Sequence, residues 1–182
     1  MSKGSTCAVL LAANLLAGCG GGGLTGALEA TGLRQPPALP DAQQPPRNVA
    51  LRLHASPRLN LDKRGQPLAL AVRLYQLRQK EAFEQTPYDA FLDAGQERER
   101  LGADLLEVRE IMLVPGQKVE VNEKVGREAG YLAVVALFQR PAEGRWRTVV
   151  KAVDAEREGL TIGLHACALT VGAASLSSVR CQ

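Results

Sequence analysis

The sequence predicts an antiparallel β-sandwich of about seven or eight short strands, with a small helical insertion between the second and third. Three observations predict it. Apolar and polar residues alternate with period two over several short stretches, first at Val49, Leu51 and Leu53 against Ala50, Arg52 and His54. Turn formers recur between the stretches, among them Pro115-Gly116, Glu143-Gly144 and Gly159. An unbroken apolar run over 131–138 reads as a central strand buried on both faces.

Taken in order, the folded part begins at Asn48. The second strand covers 68–77, with Leu68, Leu70, Val72 and Leu74 on one face. Between the two lies a loop rich in turn formers, longer than a simple hairpin connection, and long loops on a rigid sheet are where binding tends to sit. After Leu77 the pattern turns helical, and the insertion is expected over about 79–105. Thr86-Pro87 reads as an N-cap and first-turn proline, followed by Tyr88, Phe91 and Leu92 at helical spacing, with Gly95 as the stop. Glu97, Glu99 and Asp104 sit among arginines on what reads as an exposed helical surface. Strands resume at 106–113, around Val119 and Val121, over 131–138, and at Trp146, Thr148 and Val150. The last strands are 160–164 and 167–171. The apolar phase flips between them, so a bulge or break is expected near His165-Ala166.

Ahead of the sandwich the chain has a different character. Lys3 precedes an apolar run over 7–16, which ends in Leu16-Ala17-Gly18-Cys19. A basic start, about ten apolar residues and small residues before a cleavage point form the secretory-signal pattern. The run is too short to cross a bilayer as a helix, which needs ~20 apolar residues. Leu-Ala-Gly-Cys resembles the bacterial lipoprotein lipobox at all four positions, whereas an ordinary signal peptide is the plainer reading. The lipobox implies cleavage after Gly18, a diacylglyceryl group on the Cys19 thiol and N-acylation of the new terminus. One acyl chain holds a protein marginally, and three would anchor it almost permanently. Gly20 follows the cysteine in place of the aspartate that retains many such proteins in the inner membrane. The expected location is thus the inner leaflet of the outer membrane, with the domain in the periplasm. Residues 19–47, punctuated by Gly20–Gly23, Pro36-Pro37, Pro40 and Pro45-Pro46, read as a lipid-anchored tether or, alternatively, as a Pro-rich ligand. The domain proper is then 48–182.

Composition excludes several classes. Of 22 Lys and Arg against 19 Asp and Glu, Lys3 leaves with the signal at 1–18, and the mature chain is too balanced to argue for nucleic acid. Arg52, Arg73, Arg109 and Arg147 are scattered singly and read as a solvated surface. Once Cys7 is removed and Cys19 acylated, Cys167 and Cys181 remain. In an oxidising compartment they can close a disulfide, worth roughly 3 kcal/mol on the chain-entropy account, and two free thiols are the other reading. No catalytic constellation is visible. His54 and His165 are the only histidines, and no nucleophile elbow or phosphate-binding loop occurs. His165 and Cys167 without a second close pair are a weak metal signal. The chain is expected to be no enzyme and to hold no metal or cofactor beyond its lipid.

Several segments in order resemble one known family. Leu59-Asn60-Leu61-Asp62, Gly65-Gln66-Pro67 and Val72-Arg73-Leu74-Tyr75-Gln76-Leu77 are similar to the first strands of the TssJ (SciN-type) outer-membrane lipoproteins of type VI secretion systems. Phe83, Leu101-Gly102-Ala103-Asp104, Leu113-Val114-Pro115-Gly116, the run 131–138 and Trp146-Arg147 continue the resemblance. It implies a transthyretin-like sandwich and a role in anchoring the membrane complex, through the periplasmic C-terminal domain of the inner-membrane protein TssM. By position it places the contact on loop 56–66. Arg58, Leu59, Asn60, Asp62, Lys63 and Arg64 are the implied contacts, and Gly65 shapes the turn. Leu61 departs from the proline common in the family, which implies a less rigid loop. Two other functions fit a small exported sandwich: a pilotin- or chaperone-type lipoprotein that binds a client peptide, and a hydrolase on the same scaffold. The shortage of histidines speaks against the second.

Overall fold

The computed structural model describes residues 40, 44–172 and 181. The chain divides into the units Met1–Ala38 and Leu39–Gln182. The first unit, with the signal 1–18, Gly18, Cys19 and most of the expected tether, lies outside the described residues. The second contains the sandwich. Its eight strands are β1 (Arg47–Ala55), β2 (Leu70–Leu77), β3 (Leu105–Leu113), β4 (Lys118–Val125), β5 (Tyr131–Ala136), β6 (Arg147–Lys151), β7 (Leu160–Leu164) and β8 (Leu169–Val171). They form two four-stranded sheets, β4-β1-β7-β8 and β3-β2-β5-β6. The mainly β sandwich is the fold that the alternation predicts.

The core follows from that alternation. Val49, Leu51, Leu53 and Ala55 of β1 point inward toward Leu70, Val72 and Leu74 of β2. Strand β5 is buried on both faces, as its unbroken apolar run requires. Leu132, Val134 and Ala136 stand opposite Gln76, Leu74 and Val72 on the inner face. Ala133 and Val135 share the outer face with Tyr75 and Arg73, and the insertion covers that face. Fully burying each Leu or Val contributes ~1.5–3 kcal/mol, so these central strands carry most of the driving force. One pairing departs from the antiparallel expectation, because β1 and β7 run parallel. The cause is helix α3, Ala152–Glu158 (numbered after the insertion's two), which the strand reading missed altogether. Strand β6 already finishes at the end of the sandwich where β1 starts, with Lys151 opposite Tyr131 and Arg47 bonded to the Ala129 carbonyl. The helix crosses there to the other sheet, so β7 leaves in the direction of β1. Gly159 (φ 74°) ends the helix, and a Cβ there would come within 3.0 Å of the Ala50 carbonyl.

The insertion consists of α1 (Glu81–Gln85), a 3-10 turn (Tyr88–Leu92), α2 (Ala94–Leu101) and a second 3-10 turn (Gly102–Asp104). Its capping differs from the sequence reading. The Thr86 hydroxyl donates back to the Ala82 carbonyl at 2.7 Å and closes α1 instead of opening a new helix. Asp93 supplies the cap for α2, accepting from the amides of Gly95 (2.8 Å) and Gln96 (2.9 Å), so Gly95 lies in the first turn rather than at a stop. Tyr75, Phe83 and Phe91 pack ring on ring, with centroids 5.4–5.9 Å apart.

A buried charge cluster fixes this packing. Glu97 is 5% exposed, contrary to the solvated face expected for it. It pairs with Arg73 at 2.7 Å and accepts the Tyr75 hydroxyl, while Arg73 also donates to the Phe91 carbonyl (2.9 Å) and to Glu110 (2.8 Å). Burial first, then the neighbouring Glu97, pushes the Tyr75 phenol above its ordinary value, so it keeps its proton and donates. Arg147 likewise is no surface charge. It donates to the carbonyls of Phe83 (2.7 Å) and Thr86 (2.6 Å) and lies 4.6 Å over the Trp146 ring. Arg109 pairs at 2.5 Å with the buried Glu123, bridging β3 to β4. A helical face that looks polar in sequence turns inward because sheet arginines receive it.

Removing one member of a buried pair leaves the other charge unmatched. Glu97→Ala is expected to lower unfolding stability by about 3 kcal/mol, and Glu99→Ala, two residues along on the exposed face, by less than about 0.5 kcal/mol. Urea denaturation of the two variants checks this; equal effects would mean that the Glu97 cluster does not hold the insertion.

Candidate functional site

Four connections meet at the end of the sandwich where β1 finishes: 56–69, 114–117, 137–146 and 165–168. They are tied to one another through the backbone. Ser56 donates to the Leu164 carbonyl (2.8 Å), Gly116 to that of Ser56 (3.2 Å), and Ala142 to that of Cys167 (2.8 Å). The β1–β2 loop is the longest, and its base is drawn into the fold. Leu59 is fully buried in the core, and its carbonyl accepts from the Leu68 amide (3.1 Å).

Asn60 follows in the left-handed region (φ 47°), which asparagine tolerates better than most residues. Its side chain donates to the Ala69 carbonyl and accepts the Gln139 amide, both at 2.8 Å, and its own amide donates to the His165 carbonyl (3.0 Å). One residue thus joins three of the four connections. Leu61 donates its amide to the Ala166 carbonyl (2.9 Å), a bond that proline could not make. What the loop lacks in ring stiffness is offset here by a hydrogen bond.

Beyond this base the loop projects as a tight turn. Asp62 Oδ1 accepts the amides of Arg64 and Gln66, each at 2.8 Å, and Gly65 (φ 77°) turns the chain back. Arg58, Lys63 and Arg64 are exposed. Of the loop residues implied as contacts, these three present their side chains outward, and Asp62 is half-buried. Leu59 and Asn60 are buried, and their side chains position the loop. The sequence reading places a break at His165-Ala166 but gives Gln139, His165 and Ala166 no part in holding the loop, because no local pattern links residues so far apart in sequence.

Cys167 and Cys181 are disulfide-bonded, with Cα atoms 5.5 Å apart. The bond lies next to the turn that receives Asn60 and Leu61. His165 belongs to this turn and not to a strand. Its ring stands 3.2 Å from the Thr170 hydroxyl, and burial lowers its pKa below the ordinary value, favouring the neutral form. Among the described residues no three His, Cys, Asp or Glu side chains come together in a metal-holding group. Nor is any helix long and apolar enough to cross a membrane.

Fold and site together define a small sandwich that presents one braced loop cluster. Comparison with known proteins gives the class its family. Residues 47–167 match the family described as "Type VI secretion lipoprotein, VasD, EvfM, TssJ, VC_A0113" (T6SS-SciN). The chain belongs to this family of type VI secretion lipoproteins. It is similar to the type VI lipoprotein TssJ1 from Pseudomonas aeruginosa, with 31% identity over 73% of this chain and 100% of that one, and a TM-score of 0.62. A chain in a structure of a type VI membrane complex is 26% identical over 69% of this chain and 98% of that one, with a TM-score of 0.63. The fold also recurs in Lip from Serratia marcescens, a membrane-bound component of the type VI system, at 20% identity over 71% and 99% and a TM-score of 0.60. No curated protein sequence matches the chain.

Asn60→Ala removes two side-chain hydrogen bonds and forces alanine into a left-handed conformation. It is expected to cost about 3 kcal/mol of stability, and Asn60→Gly about 1 kcal/mol less than that. Urea denaturation, with amide exchange at Gln139, checks both; equal stability of the alanine variant and wild type would contradict the bracing role.

Proposed function

We propose that this protein is an outer-membrane lipoprotein, acylated at Cys19 after cleavage at Gly18. Its loop cluster binds the periplasmic C-terminal domain of TssM and so anchors the type VI membrane complex. The carrying observation is the placement of two ends. The chain enters β1 at Arg47, where Arg47 and Arg127 both reach Glu156 at 3.3 Å and Arg127 donates to the Pro45 carbonyl. The loop cluster stands at the other end of β1, about 26 Å away at ~3.3 Å per residue. A chain that enters at one end and a braced loop at the other suit a domain that hangs from one membrane and reaches toward the other.

The comparisons support this reading at the level of family. The chain resembles a component of a type VI membrane complex structure. A chain in a structure of the TssM C-terminal domain (869-1107) from EAEC shares the fold, at 24% identity over 70% of this chain and 99% of that one, with a TM-score of 0.61. The work proposed is mechanical: a lipid-held domain binds a partner rooted in the other membrane. No enzymatic activity is assigned.

Calorimetry of the unit Leu39–Gln182 with the TssM C-terminal domain of the same organism tests the proposal. That unit contains both sheets, their whole core and the disulfide. The expected result is a Kd of roughly micromolar or tighter, weakened about tenfold by Asp62→Ala, which dissolves the loop turn. No binding between folded partners would favour a chaperone-type lipoprotein.

A further inference from the structure

The near-neutral charge of the chain hides a segregation between its two ends. At the β1 entry end the cations are largely matched. Arg47 and Arg127 share Glu156, Arg78 meets Glu128 at 2.8 Å, Lys80 meets Glu84 at 2.9 Å, and Arg157 meets Asp154 and Glu158 at 3.1 Å. At the loop end Arg58, Lys63 and Arg64 of the β1–β2 loop stand with Arg140 and Arg145 of the β5–β6 connection. None of these five forms a salt bridge among the described residues. The carboxylates on the same two connections are Asp62 and Glu143. Asp62 already accepts two backbone amides.

We infer that the loop end is a cationic docking face for an acidic patch on a partner protein. The inference rests on the docking role proposed above and adds the chemistry of the partner's surface. Like charges gathered on one end repel one another, and a partner bearing carboxylates relieves that repulsion while steering the encounter, which speeds association 10–10³-fold. Four of the five cations are arginines, whose planar fork meets carboxylates in pairs. The Asn60 and Leu61 bonds fix the backbone that carries them, so little order is left to impose on binding. Exposed Val114 on the adjoining β3–β4 turn adds an apolar contact beside the charges, the mixture typical of protein interfaces. An anionic lipid surface would also attract cations. The charges here surround a projecting turn at the end away from where the chain enters β1, which fits a folded partner better.

Association of the unit Leu39–Gln182 with the TssM C-terminal domain is measured by stopped flow between ~50 and ~300 mM NaCl. The rate should fall at least about tenfold with salt. Arg58→Glu/Lys63→Glu/Arg64→Glu should slow it about tenfold or more at low salt, whereas Lys151→Glu at the far end changes it less than about twofold. These side chains are exposed, and circular dichroism verifies that both variants fold. Tight association indifferent to salt and to the triple reversal would overturn the cationic face while leaving the docking role standing. Absence of association at every salt would overturn both. Co-sedimentation with phosphatidylglycerol vesicles, abolished by the triple reversal when the TssM domain ignores it, would assign the face to lipid and overturn the inference.

Discussion

Asn60 is where the apolar core and the exposed loop meet, and the loop end depends on it. Its neighbour Leu59 is fully buried, which anchors the loop to the sandwich by the hydrophobic effect. Its side chain and amide then join the loop to the β2 entry, the β5–β6 connection and the β7–β8 turn. Asparagine suits the position because it reaches both a donor and an acceptor while accepting a positive φ. A loop held this way presents its charged tip already ordered.

The second fixed point lies across the sheet. Arg73, Glu97 and Tyr75 clamp the helical insertion onto the outer face of β2 and β5, and the rings of Phe83 and Phe91 seal the contact. Charges inside a fold cost desolvation, and they persist here because each has several partners. The covered face explains why β5 is apolar on both sides. The outer face of β1 and β4, carrying Arg52, Glu120 and Asn122, has no such cover among the described residues and is polar.

The strands were legible because burial on one face writes a period of two into the sequence, as in β1, and burial on both faces writes a continuous run, as in β5. The insertion and the break at His165-Ala166 were legible from a change of period and of phase. Helix α3 was not, since its seven residues carry only Ala152 and Ala155 as a buried face. The parallel pairing of β1 with β7 depends on that helix and was hidden with it. The loop could be located, but the direction of its side chains could not. Local pattern does not tell that Leu59 and Asn60 pack inward, because their partners at Gln139, His165 and Ala166 are remote in sequence. Glu97 was misread for the same reason, its partner lying on β2.

Strand β1 joins the two ends of the domain, the chain entry at Arg47 and the loop cluster. In the account proposed here, lipid holds the first end and an inner-membrane protein grips the second. The most direct test is photocrosslinking in cells assembling the secretion system, with a photoreactive residue placed at Lys63 or at Glu156. The account predicts a crosslink to TssM from position 63 and none from position 156. Crosslinks to TssM from position 156, with none from 63, would contradict it.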